Sequence, residues 1–420
     1  MNRRFFLKSS GISLASFGAL AATPCVLQNT VFARSEELRK KVLVIIFQRG
    51  AVDGLNMFVP HGSREYYEYR KTIAVPQPGK NSGAIDLDGY FGLNPSMESF
   101  RPLWQQKQLA IVHSVGSPDN TRSHFDAHDY MESGTPGTKS TRDGWMNRML
   151  ESDARKDDSP FRAVSMTTQI PRSLMGHYPT IAMTDLNSFA IRAGKYSGSV
   201  SGGFEGIWQQ QADNELGETG KETFEAINFL KRANPAKYKV EHNAKYPAGE
   251  FSRNLRQIAQ LIKANVGLET AFTDTPGLNW DTHANQAGAG GGVGQLANLL
   301  RTFSDSISAF AIDLGKQMDD VVVVTMSEFG RTARENGTRG TDHGHGNSMM
   351  IIGNGVNGGI YGNWKGLRSD ELYQDRDLAV TTDFRDVLGE LVSKQLNKKN
   401  SANIFPGYAL RASNFKGILR

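Results

Sequence analysis

Asp342-His343-Gly344-His345 packs one carboxylate and two imidazoles into four residues. Such side chains ligate divalent metals, and the neighbouring glycines leave the backbone free to converge on an ion. Glu328 lies a short loop upstream, in Ser327-Glu328-Phe329-Gly330. Asp281 and His283 stand two apart, so on an extended segment both side chains point the same way and could share one ion. Asp53 precedes Gly54 just beyond an apolar run. In Thr121-Arg122-Ser123-His124-Phe125-Asp126-Ala127-His128, hydroxyls sit beside imidazoles. That pattern fits a nucleophile, Ser123 or Thr121, with His124, His128 or Asp126 nearby. It equally fits a residue capping a helix whose N-terminus can hold an anion. Alone, Asp53 reads as a turn aspartate and Asp281-Thr282-His283 as a hydrogen-bonded turn.

Position changes the weight of these residues. Val321 to Thr325 contains four consecutive valines and reads as a central strand covered on both faces. Lys41 to Phe47, Leu109 to Val115, Leu268 to Thr273 and Met349 to Ile352 read as further strands. Asp53, Asp281, Glu328, Asp342 and six of the nine histidines, at 113, 124, 128, 283, 343 and 345, fall at or beyond strand ends. In open α/β sheets the carboxyl edge of the strands is where ligands bind. Convergence there predicts a site for two ions roughly 4 Å apart. Zinc or manganese suits an Asp/His/Glu ligand set.

The remaining elements predict what holds the sheet. Asn94-Pro95-Ser96-Met97 starts a helix with Phe100, Leu103 and Trp104 on one face, giving a first βαβ unit in outline. Amphipathic helices are expected near Glu222 to Arg232, Glu250 to Asn265, Gln295 to Met318 and Asp383 to Leu396. Residues 60 to 94 read as an excursion over the surface, and about 186–266 as a helical lobe inserted in the sheet domain. Ala287 to Gly294 is Gly-rich but lacks the Gly-Lys-Ser/Thr ending of a phosphate loop.

The 420 residues, 39% hydrophobic and 22% charged, suit one large globular domain or a domain with an inserted lobe. Residues 1–33 read as an export signal: Arg3-Arg4-Phe5-Phe6-Leu7-Lys8, an apolar stretch from Gly11 to Ala22, then Val31-Phe32-Ala33. The apolar run is shorter than the roughly 18 residues that span a bilayer, so no stable membrane anchor is expected after cleavage. Removing Arg3, Arg4 and Lys8 from the formal charge of +5 leaves +2, too little to argue for nucleic acid. Cys25, the single cysteine, lies in this segment, so neither disulfides nor thiolate ligands are expected in residues 34–420.

These motifs together resemble the alkaline phosphatase and sulfatase superfamily. More closely, residues 41 to 395 are similar to a bacterial family of twin-arginine-exported proteins of unknown function placed in it. The resemblance implies a three-layer α/β/α sandwich with a mostly parallel central sheet. It implies a periplasmic or secreted metal-dependent hydrolase acting on a small-molecule or polymer ester, after export by the twin-arginine translocase. Carried over, it makes Asp53 a metal ligand, Ser123 or Thr121 the nucleophile, and Asp281 with His283 a second-metal pair. Asp342-His343 is then the Asp-His pair, or Glu328-Phe329 takes that place and leaves His343 or His345 as the last ligand. In the second register Phe329 replaces a histidine. The sulfatase pattern Cys/Ser-x-Pro-x-Arg is absent.

Overall fold

The computed structural model describes residues 41–155, 158–186, 237–287, 294–398 and 403–420. Twelve strands occur among them: β1 Val42–Phe47, β2 Phe58–Val59, β3 Ile85–Asp86, β4 Gly92–Leu93, β5 Leu109–Gly116, β6 Ala163–Ser165, β7 Ile181–Ala182, β8 Thr270–Asp274, β9 Val321–Met326, β10 Asn347–Ile352, β11 Gly359–Tyr361 and β12 Thr382–Asp383.

Every residue of β1, Val-Leu-Val-Ile-Ile-Phe, is buried. Because alternate side chains leave a strand on opposite faces, one strand feeds two cores. Val42, Val44 and Ile46 pack with Phe251, Leu255, Ile258, Leu300, Phe303 and Phe310. Leu43, Ile45 and Phe47 pack with Met131, Trp145, Met149, Val387 and Leu391. β9 divides likewise, Val321 and Val323 to the first core, Val322 and Val324 to the second. Helices Glu250–Lys263 and Gln295–Leu314 cover one face of the sheet. Helices His124–Ser133, Trp145–Glu151 and Phe384–Lys394 cover the other. The architecture is therefore the expected three-layer α/β/α sandwich.

The sheet runs β11-β5-β10-β9-β1-β8-β6-β7, with β12 pairing to β5. β1 is parallel to both neighbours, with Ile46 opposite Thr273 and Thr325. Among the described strands of this sheet only β10 opposes its neighbours. The carboxyl ends of β1, β5, β8 and β9 thus share one edge, and β10, being reversed, begins there. β1 and β5 are not adjacent as a simple βαβ unit would have them, because β9 and β10 lie between.

Residues 60 to 94 are more ordered than an excursion. β2, β4 and β3 form a small antiparallel sheet, and Val59, Tyr66, Val75 and Ala84 pack with Ala333, Leu367 and Leu372 in a core of their own. Of the expected inserted lobe, residues 187–236, with the helix near Glu222 to Arg232, lie outside the described residues, as does the export segment. Glu250–Lys263 packs within the first helical layer. No helix of the described residues is long and apolar enough to cross a membrane.

Candidate metal centre

The loop between β9 and β10 folds back on itself. Gly330 N–H donates to the His345 carbonyl (2.8 Å), Gly344 N–H to Gly330 (2.8 Å), and Thr332 N–H to Asp342 (3.0 Å), with Arg331 bridging His343. This doubling brings His343 back over the sheet edge. It needs glycine at 330, where a Cβ would lie 1.9 Å from the Gly346 carbonyl oxygen. After β5, Ser123 caps the helix His124–Ser133, its Oγ accepting from Asp126 N–H at 3.5 Å. His124 and His128, four apart, share a face of that helix.

Four donor atoms meet at this edge. His343 Nε2 lies 3.0 Å from His124 Nε2, 3.0 Å from His283 Nε2 and 3.3 Å from Asp281 Oδ1. Asp281 Oδ1 is 3.0 Å from His283 Nε2 and 3.7 Å from His124 Nε2. Ligands of a tetrahedral ion with bonds of about 2.0–2.1 Å stand about 3.3 Å apart, so the His124, Asp281 and His343 atoms suit one ion, with His283 Nε2 beside the latter two.

The opposite ring nitrogens fix the tautomers. His343 Nδ1 faces the Arg122 carbonyl at 2.9 Å, His124 Nδ1 faces Glu328 Oε1 at 2.7 Å, and His283 Nδ1 faces Asp342 Oδ1 at 3.1 Å. A carbonyl or ionised carboxylate only accepts, so each Nδ1 carries the proton. The neutral rings then point three bare Nε2 lone pairs and a carboxylate oxygen at one another. Such an arrangement is repulsive without a cation or added protons among them. The residues present therefore fit a divalent metal ion.

Glu328 is buried and heavily engaged. Oε1 accepts from Gly50 N–H (2.7 Å) and His124, and Oε2 shares the Ser327 hydroxyl (3.1 Å) with the Gln48 carbonyl. His128 Nε2 stands 3.0 Å from Oε1 but is poorly aligned to donate. Burial would raise the Glu328 pKa, but the contacts of His124 and His128 outweigh it and hold the carboxyl well below its usual range. The Glu328 hydrogen bond in turn raises His124, against the opposing effect of burial. Burial lowers His343. Asp281 is lowered because the Arg331 hydrogen bond and charge overcome desolvation. Asp342 is lowered first by the Asn336 amide and then, against burial, by His283.

Arg331 holds the floor of the site. Its buried guanidinium donates to the carbonyls of Ala51 (2.6 Å), Gly50 (2.6 Å), Trp280 (3.2 Å) and Thr341 (3.0 Å), and to Asp281 Oδ1. Gly50 takes φ +113°, and a Cβ there would meet the Asp281 backbone nitrogen at 2.9 Å. One cation thus ties the ends of β1, β8 and β9 together.

The structure brings together His124, Asp281, His283 and His343, with Glu328 and Asp342 one hydrogen bond behind. It does not bring Asp53 or His345 to them. Asp53 is fully buried, accepts from Arg70 at 2.6 Å and from the Gln286 amide, and caps the short helix Gly54–Met57. His345 is buried against the Tyr373 ring at a centroid distance of 4.6 Å. Ser123 and Thr121 stand at the helix start; the Thr121 hydroxyl accepts from Ser123 N–H at 3.2 Å. Arg331 and the Arg122 carbonyl went unread in the sequence, because an arginine in a loop and a backbone oxygen carry no motif. The i, i+4 spacing of His124 and His128 was the available signal for their common approach to Glu328.

Residues 40–404 match the family described as "Protein of unknown function (DUF1501)". The chain belongs to this family. No curated protein matches it. Among solved structures it is similar to the C-terminal periplasmic domain of EcEptC from Escherichia coli, in complex with Zn, at 9% identity and TM-score 0.36, covering 76% of this chain and 74% of that one. It is similar to alkaline phosphatase PafA at 10% identity and TM-score 0.33, covering 69% of this chain and 63% of that one, so it spans less than two thirds of that protein. A phosphonate monoester hydrolase from Silicibacter pomeroyi matches at 12% identity and TM-score 0.36, over 88% of this chain and 76% of that one.

Proposed function

We propose that the protein is an exported, metal-dependent hydrolase of phosphate or related esters. The convergence of three Nδ1-anchored histidines and Asp281 on one point at the carboxyl edge of the sheet carries this reading. A divalent ion held by His124, Asp281, His283 and His343, zinc or manganese, would polarise an ester oxygen and favour a deprotonated nucleophile. Ser123 supplies the hydroxyl, with Thr121 the other candidate. The free N–H groups at the start of His124–Ser133 favour an anionic substrate group beside it. Arg331 also donates to Asp281 Oδ1 and holds that carboxylate in place at the site. Residues 1–33 serve as a twin-arginine signal, the translocase being the partner during export, and the substrate is a small or polymeric ester.

One observation favours a second reading, a metal-binding exported protein without turnover. Four protein donors can close a tetrahedron, as structural sites do. Elemental analysis of the purified chain, followed by a screen of phosphate monoesters, diesters and phosphonate esters, separates the two. Metal retained by wild type and by His345→Ala, lost in His343→Ala, with ester cleavage abolished in Ser123→Ala, is the expected result. Metal without cleavage of any ester class would leave the binding reading, and no metal after incubation with zinc or manganese would overturn both.

A further inference from the structure

Two groups of side chains could each hold a cation, His124–Asp281–His343 and His124–His128–Glu328, and they share His124. We propose that this edge holds a single ion, ligated by the Nε2 atoms of His124, His283 and His343 with Asp281, and that Glu328 and Asp342 are positioning residues rather than ligands. The inference rests on the reading of this edge as a metal centre and narrows its composition.

Glu328 has little capacity left for an ion. Oε1 already accepts from Gly50 N–H and His124 at 2.7 Å, and Oε2 shares a hydroxyl. The 2.7 Å separation is that of a charge-assisted hydrogen bond, shorter than the roughly 3.3 Å between two ligands of one tetrahedral ion. An ion on the Glu328 side would also need the His124 Nδ1 lone pair, which that ring has only after losing its second proton. Two ions bridged in this way would lie about 6 Å apart with bonds of about 2 Å, beyond the roughly 3.5–4 Å of two-metal hydrolytic sites. Asp342 repeats the pattern on His283: it accepts from Nδ1 at 3.1 Å and from the Asn336 amide at 3.0 Å. Each carboxylate fixes its ring's tautomer and rotation and makes the far nitrogen more basic.

The test uses the full chain without its export segment, stripped with chelator and titrated with Co(II), whose visible absorption is intense in tetrahedral and weak in octahedral sites. Wild type should take up one equivalent with the intense band. Glu328→Gln and Asp342→Asn should each still bind one equivalent, with affinity in competition against a chromophoric chelator lowered 10–100-fold. Asp342 is half exposed, so Asp342→Asn remains informative if Glu328→Gln fails to fold. Two equivalents in wild type falling to one in Glu328→Gln would make Glu328 a ligand and overturn the proposal. Unchanged affinity in both variants would overturn the positioning role. No uptake of Co(II) or Zn(II) by wild type defeats the metal centre itself, an outcome distinct from either.

Discussion

Two acidic sites stand at neighbouring strand ends, and they have opposite needs. Beyond β1, Asp53 is buried with its own cation, the Arg70 guanidinium at 2.6 Å, itself fully buried and donating also to Asn56 and to the carbonyls of Thr332 and Ala333. Beyond β8 and β9, Asp281 has Arg331, but three histidines add only lone pairs to the space before it. The first site is complete as a set of charges and hydrogen bonds. The second is a set of donors that a divalent cation would complete. Residue type does not distinguish them; the difference lies in whether the fold delivers a fixed arginine or bare imidazole nitrogens.

The largest effect should come from breaking the complete site. Arg70→Met strands Asp53 in the interior, and removing one partner of a buried pair costs about 3–5 kcal/mol. Urea denaturation of the ion-free protein should show it. A loss under about 1 kcal/mol would mean that Asp53 does not depend on Arg70. The incomplete site should respond to added metal. Zinc at 100 times its dissociation constant should stabilise wild type by about 2.7 kcal/mol, read as a rise in thermal midpoint, and should not stabilise His343→Ala. An equal rise in the variant would move the ion away from this edge.

Acid sharpens the contrast between buried groups. His113, enclosed by Phe58, Phe91 and Trp364, is pushed down by burial to about 3. Its folded pKa lies below the ordinary value near 6.5, so its neutral form contributes stability above about 6.5 that is lost as pH falls toward 3. His343 and His345, lowered by burial, act in the same direction. Glu328, Asp281 and Asp342 are depressed carboxylates, and their contribution is lost only below about 4. Between pH 6 and 4.5, His113→Phe should remove one proton's share of the slope, about 1.4 kcal/mol per pH unit, from ion-free protein. An unchanged slope in urea titrations would show that His113 is not held neutral.

Much of the architecture was legible because burial on both faces forces continuous apolar runs, as in Val42–Phe47 and Val321–Met326. The amphipathic stripes of Glu250–Lys263 and Gln295–Leu314 followed for the same reason. The small sheet over residues 58 to 93 was not legible, since its two-residue strands leave no periodicity. At the site, residue types and strand-end positions marked His124, Asp281, His283 and His343. Two things escaped: that Asp53 meets Arg70, an arginine from the stretch taken for surface, and that Glu328 faces the far nitrogen of His124. Which nitrogen a carboxylate meets decides between ligand and support, and no spacing rule encodes it.

The smallest expected effect concerns Ser123, where a structural and a chemical role coincide. Its Oγ caps the helix that carries His124, so Ser123→Ala should cost about 1 kcal/mol by loss of the cap. Asparagine is an equally good cap but carries no hydroxyl. Ser123→Asn should therefore recover the stability lost in Ser123→Ala while leaving ester hydrolysis as low as in the alanine variant. Recovery of both stability and turnover would assign Ser123 to capping alone and move the nucleophile to Thr121 or to water. Because the substitution leaves all four proposed metal donors in place, the Co(II) absorption of both variants should match wild type. A changed spectrum would mean that the cap sets the position of His124.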